Sequence, residues 1–348
     1  MTVISVGLDI GKTSFSLVGL GEDRHIVFKK TLGRQDLFKY FERLRTQGPC
    51  GPIAMEACVS AYWLAEKLID MGFEVRLLHA RYVKPFTMGG QKNDERDALA
   101  IAKASLDPTI RSVPVQDAEQ RAILNLHRSR ERLVKHRTAL VNQMRAMLWE
   151  EGLTPRTGRL WFEKNVTGFL AANEGILDPT TYSLLLAMAV ELKGIAGTIE
   201  GLNTEIEGIA ITNPMAQRLM SIPGIGPLNA TAIAAQVGDP DRFASGRDMA
   251  AWLGLVPRQI STGGKQTLRG ITRAGNNYLR KLLIHGARSL MMVGRGKSCL
   301  QAQWARGLVD RGVNRAKASV ALANKLARLC WAVMAKETYY TPGPVAAA

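Results

Sequence analysis

The first third of the chain alternates short apolar runs with polar breaks. Val3–Asp9 is an apolar run ending in an acidic residue, and Ser14–Leu20 and Ile26–Leu32 follow after turn residues such as Gly21, Glu22 and Asp23. Runs this short, bounded by turn formers, predict strands. Gln35–Thr46 mixes polar and apolar positions as a helix does, Pro52–Ala57 predicts a fourth strand, Ala61–Met71 a helix and Phe73–Leu78 a fifth strand. The spacing of Ala98, Ile101 and Ala102 predicts a helix over Asp94–Ser105. From residue 117 to 150 the period changes: Leu126, Leu133, Leu140 and Met147 recur every seven residues, which predicts one long helix. After a loop rich in Gly, Pro and Thr, Leu185, Met188, Leu192, Ile195, Ile199, Leu202, Ile206 and Ile209 follow in alternating steps of three and four. This heptad seam predicts a coiled coil, as an antiparallel pair with the preceding helix or as a dimerising arm. Two helices of an ordinary bundle fit the same spacing. Asn213–Pro214 breaks the seam, and the remainder reads as largely helical up to a Pro/Gly/Ala-rich tail, Thr341–Ala348, expected to be disordered.

Three strands, then helix, strand, helix, strand and helix, is the element order of a ribonuclease-H-like α/β domain. The expected organisation is that domain over residues 1–115, a coiled-coil or oligomerisation region over 116–212, a mainly α-helical C-terminal domain over 213–340 and the tail over 341–348. Charge changes the picture most. The chain carries a formal net charge of +16, and the segment Arg242–Lys336 alone reaches +16, with eighteen Lys and Arg against Asp248 and Asp310. A basic domain on a near-neutral remainder points to a dedicated polyanion-binding module, with a solubilising basic surface as the plain alternative. No stretch approaches the ~20 apolar residues of a membrane span, and the N-terminal residues lack the pattern of a signal peptide. Cys50, Cys58, Cys299 and Cys330 are widely spaced and form no CxxC pair, so they read as buried thiols in a reducing cytoplasm and not as a zinc site or disulfide framework.

Four acidic residues stand where chemistry could use them. Asp9 ends one apolar strand in LDIG, Glu56 ends another in IAMEA, and Asp94 and Asp97 share one helical face in KNDERDA. If the two strands are neighbours, the four carboxylates converge at the carboxyl edge of the sheet. Oxygen-only ligands suit Mg²⁺ or Mn²⁺, and two such ions about 3.5–4 Å apart activate a nucleophile and stabilise a leaving oxygen on phosphate. Each residue alone reads equally as a turn residue, cap or solvated helix position. DIGKTS also resembles the first phosphate-binding turn of sugar kinases and actin-like ATPases, but their second half, with its own Asp-Gly turn, has no counterpart after residue 115.

Further along, Ser221-Ile-Pro-Gly-Ile-Gly-Pro227 and the apolar run that follows predict a helix-hairpin-helix. Gly224 and Gly226 permit its tight turn, and free N–H groups at the next helix start can hold a phosphate without reading bases. Ser261 sits in a basic, glycine-flanked stretch that reads as a flexible loop, where a hydroxyl could attack a phosphodiester or could simply belong to a turn. Arg269, Arg273, Arg280 and Lys281, with Lys265, are candidate phosphate contacts. Gly263, Gly264 and Lys265 do not make a P-loop, because its first glycine and following Ser/Thr are missing.

Taken together, LDIGKTSF, the Glu56 strand, QKNDERDALAIA, IPGIGP, LGLVPRQISTGGK and ITRAGNNYLRKLLIHGAR resemble the DEDD transposases of insertion sequences, relatives of the Piv site-specific invertases, from about residue 3 to residue 335. The resemblance implies a RuvC-like N-terminal domain with Asp9, Glu56, Asp94 and Asp97 as ligands of Mg²⁺ or Mn²⁺. It also implies Ser261 as a catalytic nucleophile, a coiled-coil arm assembling a homodimer or homotetramer, and action on donor and target DNA under a noncoding bridge RNA. Cleavage would pass through a phosphoserine-linked DNA end and a Holliday junction, in the cytoplasm of a bacterium or archaeon and on its nucleoid. Two other readings remain: a RuvC-like junction resolvase that hydrolyses and leaves Ser261 idle, and a non-catalytic nucleic-acid-binding protein with a vestigial nuclease fold.

Overall fold

The computed structural model describes residues 2–87, 93–263, 265–293 and 299–342, so residues 343–348 of the expected disordered tail lie outside the described residues. The chain divides into two compact units, residues 1–118 and 119–348.

In the first unit, β1 (Val3–Ile10), β2 (Ser14–Gly21), β3 (Ile26–Gly33), β4 (Ile53–Glu56) and β5 (Val75–Leu78) form one sheet in the order β3-β2-β1-β4-β5. The three N-terminal strands run antiparallel as a meander, and β4 and β5 join parallel to β1. Parallel joining requires crossovers, supplied by α1 (Arg34–Thr46) and α2 (Ala61–Asp70). Both faces of the sheet are covered. Val6, Leu8, Phe15, Leu17 and Met55 pack with Leu37, Phe41, Leu64 and Leu68 of α1 and α2. The alternate residues Val18, Leu20 and Ala54 meet α4 (Asp94–Ser105), which follows a short helix, α3 (Ala80–Val83). Helix α4 lies close because its facing residues are small: a Cβ on Gly7 would come within 1.9 Å of the Ala98 carbonyl oxygen. Ser5 Oγ donates to the Ala102 carbonyl oxygen at 3.2 Å and so ties the helix to β1. This α/β architecture is compatible with the ribonuclease-H-like expectation.

The second unit is mainly helical. Helices α5 (Ala118–Glu150), α6 (Arg159–Ala172) and α7 (Pro179–Thr212) share one apolar core, in which Leu133, Leu140, Met144 and Leu148 meet Phe162, Val166 and Leu170 of α6 and Leu185, Leu192, Ile195 and Ile199 of α7. Helices α5 and α7 run antiparallel, since Arg130 donates to Asn203 at 2.6 Å while His136, further along α5, pairs with the earlier Glu191 at 3.1 Å. The heptad seam is therefore filled within one chain by a three-helix core, and it does not need a dimerising arm to account for it. The loop expected between the two long helices contains α6, which the sequence reading did not anticipate. Helix α7 also corrects the membrane reading: by length and composition (mean hydropathy 1.4) it qualifies as a possible span. The burial of its seam against α5 and α6 accounts for that apolarity equally well.

Beyond it come α8 (Pro214–Met220), α9 (Pro227–Val237), α10 (Gly246–Trp252), a hairpin of β6 (Pro257–Thr262) and β7 (Lys265–Ile271), and then α11 (Asn277–Val293), α12 (Leu300–Asp310) and α13 (Arg315–Lys336). Their core gathers Leu219, Ile233, Leu253, Leu283, Leu322 and Leu326. A separate small cluster, Ile123 and Leu124 of α5 with Ala235 of α9, packs α5 against α9.

Candidate active site

Neighbouring strands and a closely packed helix bring the four acidic residues to one edge of the first unit. The parallel register of β1 and β4 ends with Leu8 opposite Met55, which places Asp9 and Glu56 at the next step on adjacent strands. Helix α4 descends against β1, with Ser5 bonded near its C-terminal end and Gly7 against Ala98, so its first turn, with Asp94 and Asp97, comes down to the level of Asp9. Asn93 caps that helix by accepting from the Glu95 N–H at 2.9 Å. The electrostatics follow from the placement. Burial, then the charges of Asp97, Asp94 and Glu56, push the Asp9 carboxyl up to about 6. Among the described residues no three ligand side chains already form a coordination cage. The donor set itself, all oxygen and mutually repelling, is of the kind that suits Mg²⁺ or Mn²⁺. Cys58 stands beside them, its thiol pushed up by partial desolvation and by Glu56 and Asp9. Of the four cysteines expected to be buried only Cys330 is, and Cys58 is exposed because it lies on the loop that follows β4.

Ser261 belongs to the second unit. It lies on β6, opposite Gln266 of β7, and the whole of β6 is exposed. The loop expected here is thus a two-stranded antiparallel hairpin, whose turn uses Gly263 at φ 55°. The Ser261 hydroxyl accepts a hydrogen bond from the Gln259 side-chain amide at 3.0 Å.

Two family profiles match the chain. One, described simply as a transposase of the DEDD type found in IS110, matches residues 6–151 and spans all four carboxylates. The other, described as the transposase IS116/IS110/IS902 family, matches residues 216–304 and spans Ser261. Over 344 residues the chain is 41% identical to a probable family 20 transposase of Pseudomonas aeruginosa, covering 99% of this chain and 100% of that one. The chain belongs to the IS110/IS116 family of insertion-sequence transposases. It is also 37% identical to the transposase for insertion sequence element IS1111A of Coxiella burnetii (97% of this chain, 91% of that one) and 35% identical to that for IS1328 of Yersinia enterocolitica (97% and 99%). A transposase cleaves and transfers DNA, and DNA is its substrate.

The transposase distributes the remaining candidates unevenly. Gly224 has φ 91° in the turn between α8 and α9, and Gly226 caps α9 from an exposed position. A Cβ on Gly286 of α11 would come within 2.2 Å of the Gly224 carbonyl oxygen, so this turn also serves close packing. Arg269 and Arg273 are exposed, while the Lys265 side chain lies outside the described residues. Arg280 departs from the expectation. It is only 7% exposed, and its guanidinium donates to the carbonyl oxygens of Leu253 and Ala274, both at 2.8 Å, and to Asn277. Burial among carbonyls commits it to holding the start of α11 in place of a phosphate. Lys281 spends its charge on Glu131 of α5 and lies over the Tyr278 ring.

Proposed function

We propose that the transposase cuts and rejoins DNA with two groups of residues: Asp9, Glu56, Asp94 and Asp97, which hold Mg²⁺ or Mn²⁺, and Ser261, whose hydroxyl is the nucleophile. The observation that supports this best is the placement of Asp9 and Glu56 at the ends of adjacent parallel strands, with Asp94 and Asp97 in the first turn of the helix packed against them. Four acids gathered at one edge are arranged for a cation. A divalent ion held there supplies positive charge to phosphate oxygens and lowers the proton cost of a nearby hydroxyl. Ser261 Oγ bonds to phosphorus and gives up its proton, and the displaced deoxyribose oxygen takes one up. The DNA end is left on a phosphoserine. Attack by a hydroxyl on another DNA end restores the serine and joins exchanged strands, and successive exchanges pass through a Holliday junction. The Gln259 amide donates to Ser261, so it orients the hydroxyl and leaves its proton free to depart. The same reading includes a noncoding bridge RNA that pairs with donor and target DNA, and a homodimer or homotetramer in which the metal site of one protomer works with the serine of another. It places the reaction in the cytoplasm.

The test is an excision assay in cells carrying the element with its native flanks, scored by circle junctions. Wild type forms junctions, and Asp9→Asn and Ser261→Ala form none while both still fold and bind nucleic acid. Junctions that persist in Ser261→Ala would assign the chemistry to the carboxylates alone, as in a hydrolytic resolvase. Junctions that persist in Asp9→Asn would remove the metal site from the reaction.

A further inference from the structure

A groove of about 1840 Å³ in the second unit is lined by none of the carboxylates proposed for the metal and not by Ser261. It runs between the base of the β6–β7 hairpin, α10, α11, α12 and α13. Its walls carry Arg247, Arg269, Arg273, Lys317, Lys325 and Arg328, and no Asp or Glu is among the described residues that line it. Among the described residues, Arg247, Arg273, Lys317 and Arg328 enter no ion pair. Arg273 is held at φ 55°, a conformation costly for a side-chain-bearing residue, so its position at the wall is imposed by the surrounding fold. Trp304 lines the groove, 38% exposed, with the Lys325 ammonium 4.7 Å from its ring centroid.

Each of these features narrows the occupant. The volume exceeds the ~300–1,000 Å³ of small-molecule pockets, which favours a polymer. Uncompensated cations on several walls favour a polyanion whose charges recur along its length. An indole on the wall offers a flat apolar face that a base can cover only when it is unpaired. We propose that this groove binds an unpaired nucleic-acid strand, with its phosphates on Arg247, Lys317 and Arg328 and one base stacked on Trp304. Where the strand leads follows from the hairpin. Leu268 lines the groove and pairs with Gln259, two residues from Ser261, or about 7 Å along β6. A strand in the groove is thereby carried past the serine. That last step rests on the serine reading above, whereas binding in the groove does not.

The experiment uses the full-length protein and labelled oligonucleotides of one sequence, as single-stranded DNA, single-stranded RNA and duplex DNA, followed by fluorescence anisotropy. Trp304→Ala weakens single-strand binding roughly tenfold, Trp304→Phe stays near wild type, and duplex binding changes little. Combined Lys317→Glu and Arg328→Glu lowers the salt slope for single strands by about 1.4, at ~0.7 for each lost phosphate contact. A larger loss with DNA identifies a DNA strand as the occupant and a larger loss with RNA an RNA strand, and both uphold the groove. Unchanged single-strand affinity in Trp304→Ala and in the doubly reversed variant overturns it. So does polyglutamate that competes as well as an oligonucleotide against wild type and Trp304→Ala alike, since the groove would then be a site for acidic protein. Ser261→Ala in the cellular excision assay separates the two readings: Trp304-dependent binding alongside undiminished excision in Ser261→Ala would sink the serine and spare the groove.

Discussion

At the scale of single residues, a buried histidine has an effect that is measurable directly. His127 of α5 is 1% exposed, with Nδ1 2.9 Å from the Tyr278 hydroxyl and Nε2 3.0 Å from Thr231 Oγ1. Burial, with the charge of Arg130 adding to it, pushes the imidazole down to about 4. The unfolded chain therefore binds a proton near pH ~6.5 that the folded chain refuses. Stability from the neutral ring is complete above that pH and is lost as pH falls toward about 4. Urea unfolding of wild type should lose about 2 kcal/mol more between pH 7 and pH 5 than unfolding of His127→Asn. Equal losses in the two proteins would show that His127 titrates normally. Residue-level chemistry was unevenly legible in the sequence. Asp9 and Glu56 could be placed because each ends an apolar run, and Asp94 and Asp97 because three residues is close to one helical turn. Arg280 could not, because an arginine near a helix start reads as exposed, and only the tertiary fold brings the carbonyls of Leu253 and Ala274 around it.

At the scale of elements, legibility followed burial. The sheet strands and α4 could be read from their apolar positions because each packs against something on a defined face. Strand β6 is exposed along its whole length, so it has no alternation to read and passed for a loop. Helix α6 buries only Phe162, Val166 and Leu170, a stripe too narrow to stand out behind a Gly- and Pro-rich lead-in. The groove left a fainter trace, since Lys317, Ala321, Asn324 and Arg328 of α13 recur at helical spacing along one wall. The α7 seam was legible, but its partner was not, because heptad spacing is the same within a chain and between chains. The fold decides for a partner within the chain. Leu192, 1% exposed, faces that three-helix core. Leu192→Ala should cost about 2–5 kcal/mol, with the concentration dependence of the unfolding midpoint the same as in wild type. A midpoint that rises with concentration in wild type and loses that dependence in the variant would return the seam to an interface between protomers.

At the scale of the whole molecule, charge and chemistry are divided. The acidic cluster lies in the first compact unit, while the stretch Arg242–Lys336, whose net charge equals that of the chain, lies in the second with Ser261. A metal site needs carboxylates and a nucleic-acid surface needs cations, and each would neutralise the other if they were interspersed. The membership of the chain in a transposase family gives both a common substrate. In the proposed function, what joins them in one reaction is a covalent step at Ser261, and such a step can be caught. Purified transposase with its nucleic-acid substrates and Mg²⁺ should give a protein–DNA adduct that survives denaturant, and mass spectrometry should place the phosphodiester on Ser261. Asp9→Asn and Ser261→Ala should give no adduct. Strand cleavage at the wild-type rate in Ser261→Ala, with free DNA ends and no adduct in either protein, would contradict the account.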